Sequence, residues 1–233
     1  MDKRLRELRV NLKTAGLTSA EAAAYKATVD VQFAPKEKHI AVLAQLATTE
    51  PRELADALEG ALRTAGTTAG PFGCCKVALL AHRLALRGGA PAAIAARSLD
   101  SAALRFADLA QRGRGAAAED IALVRQYGAY VGALLGAEEP CRRLRYSRTD
   151  ARWRSLELAD VLVALPAMQR LAGLALAAAA AGAPVAAASG AGGNSGAPSA
   201  AAGARSLTSG AEVLIDARLM AVVDSLHLFR ICA

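Results

Sequence analysis

Aromatic side chains are scarce in this chain: four Phe, four Tyr and one Trp make up 4% of 233 residues. A core built without them has to come from Leu, Val and Ala. Much of the 54% apolar content is alanine, which favours helix but buries little area. Cysteine is present only four times, as Cys74, Cys75, Cys141 and Cys232, with no C-x-x-C pair and no zinc spacing. That leaves no disulfide framework or metal cluster to expect, and points to reduced thiols in a cytosolic protein. No Ser/His/Asp set and no phosphate-binding glycine loop occur, so neither catalytic chemistry, a cofactor nor a small-molecule substrate is expected. Alternating strand patterns are missing as well. Acidic residues are outnumbered, with 21 Asp and Glu against 28 Lys and Arg, and the net charge of +7 points to an anionic partner. The opening MDKRLRELRV is charged throughout, unlike a signal peptide.

Leucine at helical spacing dominates what is present. Leu5, Leu8 and Leu12 predict a short first helix closed by Gly16. Thr18 and Glu21 form a capping-box pattern that starts the next helix, which carries Tyr25 and Lys26. A helix from near Lys38 buries Ile40, Leu43 and Leu46. Pro51 opens another through Leu54, Leu58 and Leu62, followed by a turn at 66–70. Residues 71–86 are apolar almost all round, as in a central buried helix ended by Gly88 and Gly89. One or two short helices are expected over 91–111. A further helix at 119–135 presents Ile121, Val124, Val131 and Leu135, with Tyr127 and Tyr130 as packing residues whose hydroxyls reach the surface. Residues 155–181 form a long helix with Leu158, Leu162, Leu165, Met168, Leu171 and Leu174 in register. The uncharged run at 171–189 has the length of a membrane span, but it is mostly alanine and broken by Gly182 and Pro184, which argues for a packed helix instead. Residues 182–203 are low-complexity, and a final amphipathic helix covers 212–231. The fold class is all-α, an antiparallel stack of helices.

The chemistry concentrates at residues 26–39, KATVDVQFAPKEKH. Pro35 fixes its own φ and keeps the preceding residue out of the helical region, so Lys36, Lys38 and His39 cluster where a new helix begins. Free N–H groups and the helix dipole favour phosphate there, and lysines act as point charges for it. The plainer reading of a P-K-x-K-H turn is a solvated charged loop. The K-A-T upstream favours an anion site.

Lys26-Ala27-Thr28, six residues, then Pro35-Lys36-x-Lys38-His39 resembles the lipid-binding signature of the ANTH domain, the N-terminal domain of clathrin assembly proteins. The resemblance implies that Lys26, Lys36, Lys38 and His39 hold the head group of phosphatidylinositol 4,5-bisphosphate. Where some members carry another lysine, one turn before Lys26, this chain has Ala22. The resemblance continues at Lys76 and His82, at Phe106 and Leu109, and at Arg125-x-Tyr127-x-x-Tyr130. For His82 the expectation is a hydrogen-bonded interior histidine. The family implies an α-solenoid of the ANTH/ENTH type, spanning 1–181 and resuming at 207–233 after a low-complexity loop at 182–206. It further implies a cytoplasmic adaptor, peripheral on membranes, at clathrin-coated pits and vesicles, the plasma membrane or the Golgi. Clathrin coat components are the implied partners. Direct capture of clathrin is not expected, since N-P-F, D-P-F and clathrin-box sequences are missing.

Residues 141–154, CRRLRYSRTDARWR, hold six arginines against one aspartate. Arg142, Arg143, Arg145 and Arg148 form an auxiliary basic patch. With Tyr146 and Trp153 interleaved, the segment suits nucleic acid, a second membrane contact, or a solvated loop. No RNP, zinc-finger or helix-turn-helix pattern supports nucleic acid as the partner. A basic helical nucleic-acid-binding protein is the alternative reading.

Overall fold

The computed structural model describes residues 14–29, 33–68, 70–96, 118–137, 157–181 and 211–232, and the described residues are mainly helical, with no strand among them. The helices are α1 (Ser19–Thr28), α2 (Glu37–Thr49), α3 (Pro51–Thr68), α4 (Gly70–Ala96), α5 (Ala118–Gly136), α6 (Leu158–Ala180) and α7 (Ala211–Cys232). The expected helix near residues 4–14, residues 97–117 with Phe106 and Leu109, the arginine-rich 141–154 and the low-complexity 182–203 lie outside the described residues.

Local signals act where the sequence places them. Gly16 takes a φ of +89°, open to glycine at no steric cost. Thr18 caps α1: its hydroxyl accepts from the Glu21 N–H at 3.2 Å, and Glu21 Oε2 accepts from the Thr18 N–H at 3.0 Å. The expected turn at 66–70 is cut short, because residues 66–68 belong to α3, which continues through Thr68, and α4 begins at Gly70. A single glycine costs a helix interior only about 1 kcal/mol, which packing of the rest of α3 offsets. In α4, Gly89 adopts φ +62°, ψ −146°, and bends the helix before Pro91 opens its last turns.

α4 is the centre of the molecule. It packs against α1, α2, α3, α5 and α7, while α6 packs on α5 and α7. Accordingly Cys74, Cys75, Val77, Leu79, Leu80 and Leu84 are all fully buried. The leucines of α2 and α3 face the same core through Ile40, Leu43, Leu54, Leu58 and Leu62, whereas Leu46 is only partly buried. Burial raises the Cys74 thiol to about 11 and pushes Cys75 higher still, with Cys74 and Asp216 adding to it. Both thiols are free.

Two expectations about the later helices are corrected. In α6 the buried side runs through Ala164, Met168, Leu171, Ala175 and Ala178. Leu158 and Leu162, though in register, are exposed, at 72% and 58%. α6 is the one described helix long and apolar enough to cross a membrane by length and composition. The second correction concerns Tyr127 and Tyr130, whose hydroxyls do not reach the surface. Both rings are fully buried. His82, also fully buried, meets the Tyr127 hydroxyl through Nδ1 at 2.8 Å and Asp224 Oδ2 through Nε2 at 2.8 Å. Tyr130 donates to the same Oδ2 at 2.5 Å. One polar knot therefore fastens α7 to α4 and α5. Burial, then the neighbouring Cys75, Tyr130, Asp224 and Asp216, hold the Tyr127 hydroxyl well above its ordinary pKa. The expectation of an interior hydrogen-bonded histidine holds for His82.

Candidate anion-binding site

The K-A-T triplet divides its work along the last turn of α1. Ala27 and Thr28 are buried, and the Thr28 hydroxyl bonds back to the Ala24 carbonyl at 2.8 Å. Those two residues pack, which leaves Lys26, half-buried, as the cation of the triplet. The chain then reaches Pro35, which is buried, and Lys36, the extended N-cap of α2 with φ −71° and ψ 133°. The Lys36 side chain makes no capping hydrogen bond to α2. Its first turn instead presents exposed Lys36 and Lys38 and half-buried His39. The N–H groups of His39 and Ile40 bond to the Lys36 carbonyl, so the orphan donors are those at the very start of the helix.

The four predicted cations share one electrostatic neighbourhood. The pKa of His39 is lowered by burial first, then by Lys38, Lys26, Lys36 and Lys76. Three segments thus converge: the end of α1, the start of α2, and α4 through Lys76, itself only 2% exposed. Lys76 was legible as a matching position but not as part of the cluster. In the absence of an anion, His39 is held toward its neutral form, the direction imposed by burial and then by its four positive neighbours.

Glu37, between Lys36 and Lys38, is paired on the other side. Its Oε1 accepts from Arg83 Nη1 at 3.4 Å and its Oε2 from Arg87 Nη1 at 2.7 Å. Arg83 Nη1 also donates to the Pro35 carbonyl at 3.3 Å, and its Nη2 pairs with Asp216 of α7. Sequence reasoning missed Arg83, Arg87 and Asp216. The available signal was two arginines four residues apart on an otherwise apolar helix, one turn of which must face polar partners. The auxiliary patch of Arg142, Arg143, Arg145 and Arg148 lies outside the described residues. The chain matches no protein-family model, no curated protein and no solved structure.

Proposed function

We propose that this chain is an ANTH-like membrane adaptor, an α-solenoid of the ANTH/ENTH type, that binds the head group of phosphatidylinositol 4,5-bisphosphate through Lys26, Lys36, Lys38 and His39. The observation that carries the reading is the convergence of these four residues, separated in sequence by the turn at Pro35, into one cationic neighbourhood at the start of α2. A helix start whose N-cap side chain makes no capping bond adds donors and the positive end of the dipole to the same place. The residue pattern from Lys26 to His39 supports the lipid head group over other polyanions. The protein works without catalysis, on the cytoplasmic face of coated pits and vesicles, as a membrane adaptor of clathrin coat assembly that does not itself capture clathrin. Co-sedimentation with phosphatidylcholine vesicles tests this. Vesicles carrying phosphatidylinositol 4,5-bisphosphate should bring the chain down, and vesicles carrying phosphatidylserine at matched charge should retain much less. Equal pelleting by both lipids contradicts a head-group site.

A further inference from the structure

We propose that Arg83 is the positioning residue of the head-group site, and that its pair with Asp216 makes anion binding at the turn and docking of α7 one linked equilibrium. The inference rests on the head-group reading above. The Arg83 guanidinium grips three segments at once: the Pro35 carbonyl, the Glu37 carboxylate and the Asp216 carboxylate. Pro35 sets the turn that delivers Lys36 to the start of α2. Glu37 is the single acidic side chain among residues 35–39, and held by Arg83 and Arg87 it is neutralised where it would otherwise offset one of the flanking lysines.

Asp216 fixes the guanidinium from the opposite side, 133 residues along the chain. The Arg83 and Asp216 side chains are 20% and 25% exposed, so water screens this pair less than a surface pair. The neighbouring residue on α4, His82, holds α7 a second time through Asp224. Adjacent residues of α4 therefore both fasten α7, and one of them also fastens the turn. An anion that stabilises the turn in this arrangement stabilises the docked α7, and by reciprocity the docked α7 raises affinity for the anion.

Charge alone and linkage predict opposite signs for one substitution. Asp216→Ala removes a negative charge near a cationic site, which by Coulomb's law should tighten anion binding. Linkage instead predicts that affinity for soluble inositol 1,4,5-trisphosphate, measured calorimetrically on the full chain, weakens by about fivefold or more. Arg83→Lys keeps the charge but loses the planar fork, and should weaken binding similarly. In the unsubstituted chain, the trisphosphate should slow amide exchange across α7, and in Arg83→Lys that protection should disappear. Tighter or unchanged binding by Asp216→Ala overturns the linkage, as does α7 exchange that the trisphosphate leaves unmoved. Should Asp216→Ala not fold, the exchange measurement on the unsubstituted chain and on Arg83→Lys decides. If the unsubstituted chain does not bind the trisphosphate, the head-group reading falls, and the linkage with it.

Discussion

At His39 two effects of opposite sign meet. Burial and the lysines around it lower the pKa from its ordinary 6.5, so the free chain carries His39 neutral at pH 7. A bound polyphosphate reverses the sign of the local field and favours the imidazolium. Binding therefore takes up a proton, and affinity rises as pH falls from the bound-state pKa toward the free-state pKa. Because the free-state value lies below 6.5, the gain continues below that pH. Vesicle affinity measured across about one and a half pH units on either side of 6.5 should increase steadily toward acid, and His39→Gln should flatten the slope. The same shift acts on stability in the opposite direction. The unfolded chain protonates more readily, so this contribution is present above 6.5 and is lost as pH falls through the folded-state value. Ala22 gives a second residue-scale prediction. It lies one turn before Lys26 on α1 and is half-buried. Ala22→Lys should add about 1 kcal/mol of attraction near an anionic leaflet, close to a fivefold gain in vesicle affinity. No gain would mean that this side of α1 does not face the lipid.

Among the elements, α7 depends on contacts that no local pattern announces. His82 and Asp224 are 142 residues apart in sequence. Removing the carboxylate takes from two buried groups, His82 Nε2 and the Tyr130 hydroxyl, the acceptor they share, at about 1–3 kcal/mol for each bond lost. Asp224→Ala should thus lower stability by roughly 3 kcal/mol, a fall in melting temperature of about 6–12 °C for a chain of this size. A melting curve shifted by less than about 2 °C would show that the bonds to Asp224 do not hold α7. What the sequence made legible and what it hid divide along the same line. Thr18 and Glu21 announce their helix because a capping box is a contact between residues three apart. Pro35 announces the turn, and the leucines of α2, α3 and α4 announce their buried sides. Hidden were the features set by distant partners. Tyr127 and Tyr130 turn their hydroxyls inward because His82 and Asp224 receive them there. Leu158 and Leu162 share the register of Met168 and Leu171, yet both are exposed. Likewise Lys26, Lys36, Lys38 and His39 were readable as a pattern, whereas Arg83 and Asp216 depend on how α4 and α7 lie against the turn.

For the molecule as a whole, the net charge of +7 supplies long-range attraction to any anionic surface, and on the proposed reading the cluster at α2 would supply the selectivity. Three lysines and a protonated His39, worth about 1 kcal/mol each, would give about 4 kcal/mol, or roughly millimolar affinity. On the proposed reading a single site would be weak and reversible, and stable attachment would need several copies held together. The contacts at Lys36 and Lys38 are exposed, so binding weakens as salt shortens the screening length. These two lysines bear most directly on the central claim. Both lie on the exposed first turn of α2 and bury little apolar area, so reversing their charge should leave the fold intact. The decisive measurement is co-sedimentation of the Lys36→Glu, Lys38→Glu double variant with phosphatidylinositol 4,5-bisphosphate vesicles, alongside its helical spectrum and melting temperature. The account predicts loss of phosphoinositide-dependent pelleting with the spectrum and melting temperature nearly unchanged. Undiminished pelleting by the folded double variant would contradict it.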